Sequence, residues 1–129
     1  MRNASLVIAL TVWLGVPAAW AESVAPARLL EQIESGTAPP ILDVRSADEF
    51  ARDRVPGARH APVTDVTAHA DALRLDRKKP VVIYCEHGPR AWMALLALRS
   101  AGYEDVRLLE GHMSAWRQQG LPTEAGASK

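Results

Sequence analysis

The sequence predicts an α/β fold, a mainly parallel central sheet with helices on both faces. Three observations carry that reading. Short β-branched runs alternate along the chain with stretches of helical apolar spacing. The links between them are short and marked by Pro, Gly or charge, as in βαβ units. One run, residues 80–102, reads as a complete strand–loop–helix unit around the only cysteine, Cys85.

From about Glu22 the chain opens with a short helix, apolar at Leu29, Leu30 and Ile33 and stopped by Gly36. Pro39 and Pro40 stiffen the link into a buried strand at Ile41, Leu42 and Val44. Ser46 and Glu49 form the S-x-x-E capping box of a helix running through Phe50 to about Asp53. Val55-Pro56-Gly57-Ala58 turns into a short extended piece at Arg59 and His60, with Pro62 at its edge. A single helix is expected over 64–75, capped by Thr64, with Val66, Ala70 and Leu73 inward. Asp76-Arg77-Lys78-Lys79 reads as a solvated turn.

Val81, Val82, Ile83 and Tyr84 then form a buried strand. From Pro89 apolar residues recur at Trp92, Met93, Leu95, Leu96 and Leu98, a helix that Gly102 ends. A strand from Val106 to Leu109 follows, then a helix over 113–119 around Trp116, stopped by Gly120 and Pro122. Trp92 and Trp116 are expected in the core or a pocket wall, and residues 124–129 as a frayed tail.

Residues 1–21 are set apart. Met1-Arg2-Asn3 is weakly basic, residues 6–16 are apolar or small, Pro17 breaks the run, and Ala19-Trp20-Ala21 fits a signal-peptidase cut. A spanning helix needs about 20 apolar residues, more than this run holds. The expectation is a cleaved signal peptide over 1–21 and one mature domain over 22–129, its core at about 27–122. The mature protein is then periplasmic or secreted and makes no membrane contact after cleavage. A lone cysteine cannot staple such a domain internally, so in an oxidising compartment it is either buried or used.

Composition narrows the chemistry. The chain has 129 residues with 48% apolar, enough for one core and not for two. Fifteen basic residues balance fifteen acidic ones, which gives no nucleic-acid footprint. One Cys with His60, His69, His87 and His112 scattered along the chain gives no metal-ligand spacing.

Cys85 sits at the carboxyl end of a strand and faces a helix amino terminus, where open α/β sheets place their chemistry. Unpaired N–H groups and the helix dipole make that loop an anion cradle. A thiolate at its centre is stabilised without a general base, and Arg90 adds a permanent cation. Gly88 permits the sharp turn, and Pro89 suits the first helical position. Only four residues separate Cys85 from Arg90. A cysteine phosphatase loop is one residue longer, so this loop is too tight for a seated tetrahedral oxyanion but large enough for one added sulfur.

Four blocks together resemble the rhodanese family of sulfurtransferases. They are Ile41-Leu42-Asp43-Val44-Arg45 with Glu49-Phe50, then Val55 through Pro62, Val81 through Arg90, and Leu109-Glu110-Gly111-His112-Met113-Ser114-Ala115-Trp116. The resemblance spans residues 41–116 and implies the rhodanese-like three-layer fold. It also implies a ping-pong reaction. Cys85 takes sulfane sulfur from a donor such as thiosulfate and passes it to a thiophilic acceptor, cyanide or a thiol, the acceptor in some cases a thiol protein. The covalent persulfide on Cys85 is then the only carrier, with no cofactor and no metal.

By the same resemblance the amides of Glu86, His87, Gly88, Arg90 and Ala91 cradle the persulfide, with Pro89 shaping the loop and the Arg90 side chain attracting an anionic donor. The Asp43 and Arg45 positions are structural, and Arg45 and Arg59 are expected to pair with acids. Two positions depart from the pattern. His112 stands where a second Gly is common, and Glu86 puts a negative charge beside an anion site. Two other readings stay open: a non-catalytic persulfide carrier or sulfide-handling module, and a related phosphatase or arsenate reductase, which the short loop disfavours.

Overall fold

A computed structural model describes residues 22–127. The expected signal segment lies outside the described residues. Five strands form one all-parallel sheet in the order β1-β5-β4-β2-β3: β1 Glu22–Val24, β2 Ile41–Asp43, β3 Arg59–His60, β4 Val81–Tyr84 and β5 Val106–Leu109. Five α-helices accompany them: α1 Pro26–Ser35, α2 Ala47–Arg52, α3 Val66–Ala72, α4 Pro89–Ser100 and α5 His112–Gln118.

The period-two alternation of the central strands splits the core into two layers. Leu42, Val81, Ile83, Cys85, Val106 and Leu108 face α3 and α4, where Val66, Ala70, Ala91, Ala94, Leu95 and Leu98 meet them. Ile41, Val82, Tyr84 and Leu109 face the other way, onto Leu29 of α1, Phe50 of α2, and Met113 and Trp116 of α5. Helices therefore cover both faces, and β4, central and buried along its whole length, is flanked by β5 and β2. The chain runs outward from β2 to β3 on one side and from β4 to β5 on the other. The crevice where the strand order reverses thus lies at the carboxyl ends of β2 and β4, beside Cys85.

Four local expectations are corrected. The chain does not open on the helix, because β1 precedes it as an edge strand on β5, with the Glu110 N–H donating to the Val24 carbonyl. Three residues held only by a ladder leave no periodicity to read. The helix over 64–75 is two pieces. The Val63 N–H is tied to the Val44 carbonyl, a 3-10 turn covers Val63–Asp65, and α3 ends at Ala72 because Arg74 takes a positive φ of 55°. Thr64 lies inside that turn and caps nothing, while Leu73, outside the helix, still packs on the core.

Trp92 is 45% exposed, not a core or wall residue. The inward stripe of α4 is Ala91, Ala94, Leu95 and Leu98, whose two small residues bring the helix close to the sheet, and Trp92, Met93 and Leu96 point outward. Trp116, by contrast, is fully buried and donates its indole N–H to the Pro122 carbonyl. The tail is tied down as far as Gly126. Arg54 and Glu124 exchange backbone hydrogen bonds, and the Gly126 N–H reaches the Ala51 carbonyl.

Candidate active site

The β4 strand delivers Cys85 to its carboxyl end, and four residues later the chain is already in α4. The turn is possible because Gly88, the N-cap, adopts φ 135° and ψ −46°, a region closed to residues with a Cβ. Its N–H then points back into the loop and donates to Cys85 Sγ at 3.0 Å. Pro89 stands at the first position of α4, where its missing N–H costs nothing. Cys85 is only 1% exposed, so its thiol is buried beneath the loop.

The loop residues named from the sequence separate into distinct roles. Glu86 turns away from the sulfur: Arg45 Nη1 donates to it at 3.2 Å and Arg117 at 3.0 and 3.2 Å. The Arg117 bonds, and behind them the Arg45 charge, hold the Glu86 carboxyl below its ordinary range. Its negative charge is therefore spent on two guanidiniums and is not left to repel an anion. His87 is exposed, as is Pro89, whereas the Ala91 side chain is fully buried against the sheet.

Arg90 is half-buried and chelated by Glu49 of α2, with Nη1 to Oε1 at 2.6 Å and Nη2 to Oε2 at 2.9 Å. Glu49 also closes the capping box with Ser46, as its spacing foretold. With Arg90 donating first and Ser46 assisting, its carboxyl falls to about 2.

Behind the loop lies a buried polar network. Arg45 donates to both oxygens of Asp43, through Nε to Oδ1 at 3.0 Å and through Nη2 to Oδ2 at 2.8 Å, and neither residue is more than 1% exposed. The Tyr84 hydroxyl donates to Asp43 Oδ2 at 2.8 Å and accepts the Val55 N–H at 3.1 Å. Burial, and then the neighbouring Asp43 charge, push the Tyr84 phenol well above its usual range, so it stays a neutral donor. Arg45 reaches on to Asp53, which Arg117 clamps from outside at 2.8 and 3.1 Å. Asp43 and Arg45 are thus structural here, as the resemblance implied. Arg59, expected to find an acid, makes no ion pair among the described residues; it lies on the edge strand β3, away from the acids of this network.

Sequence reasoning noted His112 only as a departure from the pattern and missed its place beside the loop. It is 7% exposed and directly follows Gly111, both with positive φ, 68° and 56°. Its Nδ1 accepts the Cys85 N–H at 3.2 Å, while Met113 and Ser114 donate their N–H groups to the Cys85 and Glu86 carbonyls at 3.0 and 3.2 Å. The first turn of α5 therefore holds the far side of the loop. No local pattern marks this, because 27 residues separate the partners. The arrangement is one suited to a single polarisable anion at the mouth of a helix N-terminus: a sulfur facing an inward amide, with charged side chains paired off around it.

The comparisons agree with the geometry. A family model, the rhodanese-like domain, matches residues 25–119. A sulfurtransferase of Allochromatium vinosum is 34% identical over 85 residues, covering 66% of this chain and 78% of that protein. The thiosulfate sulfurtransferase GlpE of Actinobacillus succinogenes is 31% identical over 101 residues, 78% of this chain and 88% of that protein. Other relatives are longer. The chain spans 55% of an uncharacterised protein of Synechocystis at 36% identity, and 27% of the probable adenylyltransferase/sulfurtransferase MoeZ of Mycobacterium tuberculosis at 30%. Among solved structures, the Alr3790 protein of Anabaena matches with a TM-score of 0.71 at 28% identity, covering 80% of this chain and 92% of that one. A thiosulfate sulfurtransferase of Pseudomonas aeruginosa shares the fold with a TM-score of 0.75 at 23% identity, over 84% of this chain and 21% of that one. With sheet order, cysteine loop and relatives in agreement, this chain belongs to the rhodanese-like domain family, whose members here include proteins named as sulfurtransferases.

Proposed function

We propose that the chain transfers sulfane sulfur from thiosulfate, or a related small donor, to a thiophilic acceptor through a persulfide on Cys85. The Gly88 N–H donating to Cys85 Sγ at 3.0 Å carries this reading, because it aims the loop amide at the sulfur rather than at solvent. The Cys85 thiolate attacks the outer sulfur of thiosulfate, the sulfur–sulfur bond of the donor breaks, and sulfite departs with the electron pair. An acceptor, cyanide carbon or a thiolate, then attacks the terminal sulfur and regenerates the Cys85 thiolate. No cofactor enters either half.

The cradle lends its dipole to each anionic stage, and Arg90, near Cys85, lends charge where the donor enters. The short loop argues against seated phosphate or arsenate. A thiol protein is a fitting acceptor, and a periplasmic or secreted location follows if residues 1–21 direct export.

Intact mass after thiosulfate treatment tests the first half-reaction: an adduct of about +32 Da on Cys85, absent in Cys85→Ser, is expected. Turnover with cyanide tests the second. Stoichiometric loading without turnover would make the domain a persulfide carrier, and no adduct at all would end the sulfur reading.

A further inference from the structure

We propose that His112 is a positioning residue for Cys85, its imidazole held as the Nε2–H tautomer so that it anchors the cysteine amide while bracing Gly88. The role bears on the proposed sulfur site, but the observations behind it are independent of which donor that site takes.

A backbone N–H can only donate. Because the Cys85 N–H meets His112 Nδ1 at 3.2 Å, that nitrogen must carry a lone pair, and the neutral ring must hold its proton on Nε2. The other edge of the same ring lies under Gly88, where an added Cβ would come 3.4 Å from Nε2 and 3.6 Å from Cδ2. Gly88 is the residue whose N–H reaches Cys85 Sγ. One imidazole therefore bonds one end of the turn that wraps the sulfur and lies beside the other.

The backbone points the same way. His112 takes φ 56°, a left-handed conformation that is uncommon for any residue with a Cβ. The Cys85 amide gives an acceptor ring a partner there.

Protonation would place a second donor on Nδ1, facing the Cys85 N–H, and the turn would lose its anchor. Apart from the Cys85 sulfur itself, the charged groups on the neighbouring elements offer that cation nothing. On β4 and the loop, Tyr84 is neutral and Glu86 is bound by Arg45 and Arg117; on α4, Arg90 is itself a cation and is held by Glu49; on α5, Arg117 is a cation. Burial alone acts on the imidazole, and it keeps the ring neutral to lower pH than an ordinary histidine.

The experiment is nitrogen-15 NMR on the full chain, with amide exchange read residue by residue, and it needs no sulfur donor. The expected spectrum shows a neutral His112 ring protonated at Nε2, and a Cys85 amide whose shift moves with the titration of that ring. His112→Gly removes the ring and relieves the backbone, and it should speed exchange of the Cys85 and Gly88 amides by about tenfold. His112→Asn keeps an acceptor on a side chain that tolerates positive φ. It should restore protection to within about threefold and abolish the acid inflection. A ring protonated on Nδ1, a Cys85 amide indifferent to the titration, or Gly and Asn variants that behave alike would overturn the assignment. Loss of sulfur loading with these signatures intact would count against the proposed function and not against His112.

Discussion

Glu49 holds Arg90 by both terminal nitrogens, at 2.6 and 2.9 Å, so the cation nearest the cysteine loop is already partnered. An incoming anion must share that guanidinium. Removing the competing charge with Glu49→Gln should therefore lower the KM for thiosulfate about threefold to tenfold with kcat little changed. Arg90→Ala should raise it by about tenfold while slowing sulfur release to acceptor much less. Half-reaction kinetics separate the two effects. Equal losses in both halves for Arg90→Ala would remove its role in docking the donor.

The Tyr84–Asp43–Arg45 network predicts an order of stabilities. Tyr84→Phe leaves the Val55 N–H and one Asp43 lone pair unmet, a loss of about 1–3 kcal/mol. Arg45→Met keeps most of the stem volume but strands a fully buried carboxylate, a loss of about 3–5 kcal/mol. Urea unfolding followed by circular dichroism ranks them. If the methionine variant proved the milder, the Asp43–Arg45 pair would not be what holds this network.

Two glycines with almost the same backbone angle should respond differently to alanine. Gly111 (φ 68°) would drive a new Cβ into the Ala115 Cβ, whereas Gly120 (φ 66°) meets nothing within 4 Å. Gly120→Ala should cost about 1 kcal/mol, the left-handed penalty alone. Gly111→Ala should cost about 2 kcal/mol more, since the first turn of α5 must shift. That turn carries the Met113 N–H to the Cys85 carbonyl, so only the Gly111 variant should also slow sulfur loading. Identical behaviour of the two variants would show that the clash is absorbed without moving α5.

The parts of the fold legible in the sequence are those whose signal is local. The Val81–Tyr84 run, the Ser46–Glu49 capping box and the Pro89 start of α4 each announce themselves within about one turn or strand. Cys85, Gly88 and Arg90 were legible for the same reason, since strand end, turn and helix start sit side by side. What stayed hidden depends on partners far apart in the chain: β1 against β5, Arg117 against Glu86, His112 against Cys85. A histidine at positive φ has no periodicity to betray it, and which face of α4 is buried is settled by the small size of Ala91 and Ala94 against the sheet. Helical spacing alone could not distinguish those positions from Trp92 and Met93.

Acid should destabilise the domain in two stages, both of the same sign. Burial lowers the His112 proton affinity below the ordinary 6.5, so the unfolded chain takes up that proton first. The contribution is fully present above about pH 6.5 and is lost as pH falls through the folded value. Glu49 is lowered from 4.5 to about 2 by Arg90, and Asp53 and Glu86 are lowered by Arg117. The Glu49 contribution is complete above about 4.5 and fades as pH drops toward 2, and those of Asp53 and Glu86 fade in the same direction. Arg90 and Arg117 are more than a third exposed, so solvent screening holds each pair to about 1 kcal/mol. Urea midpoints at several pH values should decline gently below neutrality and more steeply below about pH 4.5. His112→Gly should flatten the first decline and Glu49→Gln should reduce the second. A midpoint that rose on acidification would mean that these carboxylates are not held by their arginines in solution.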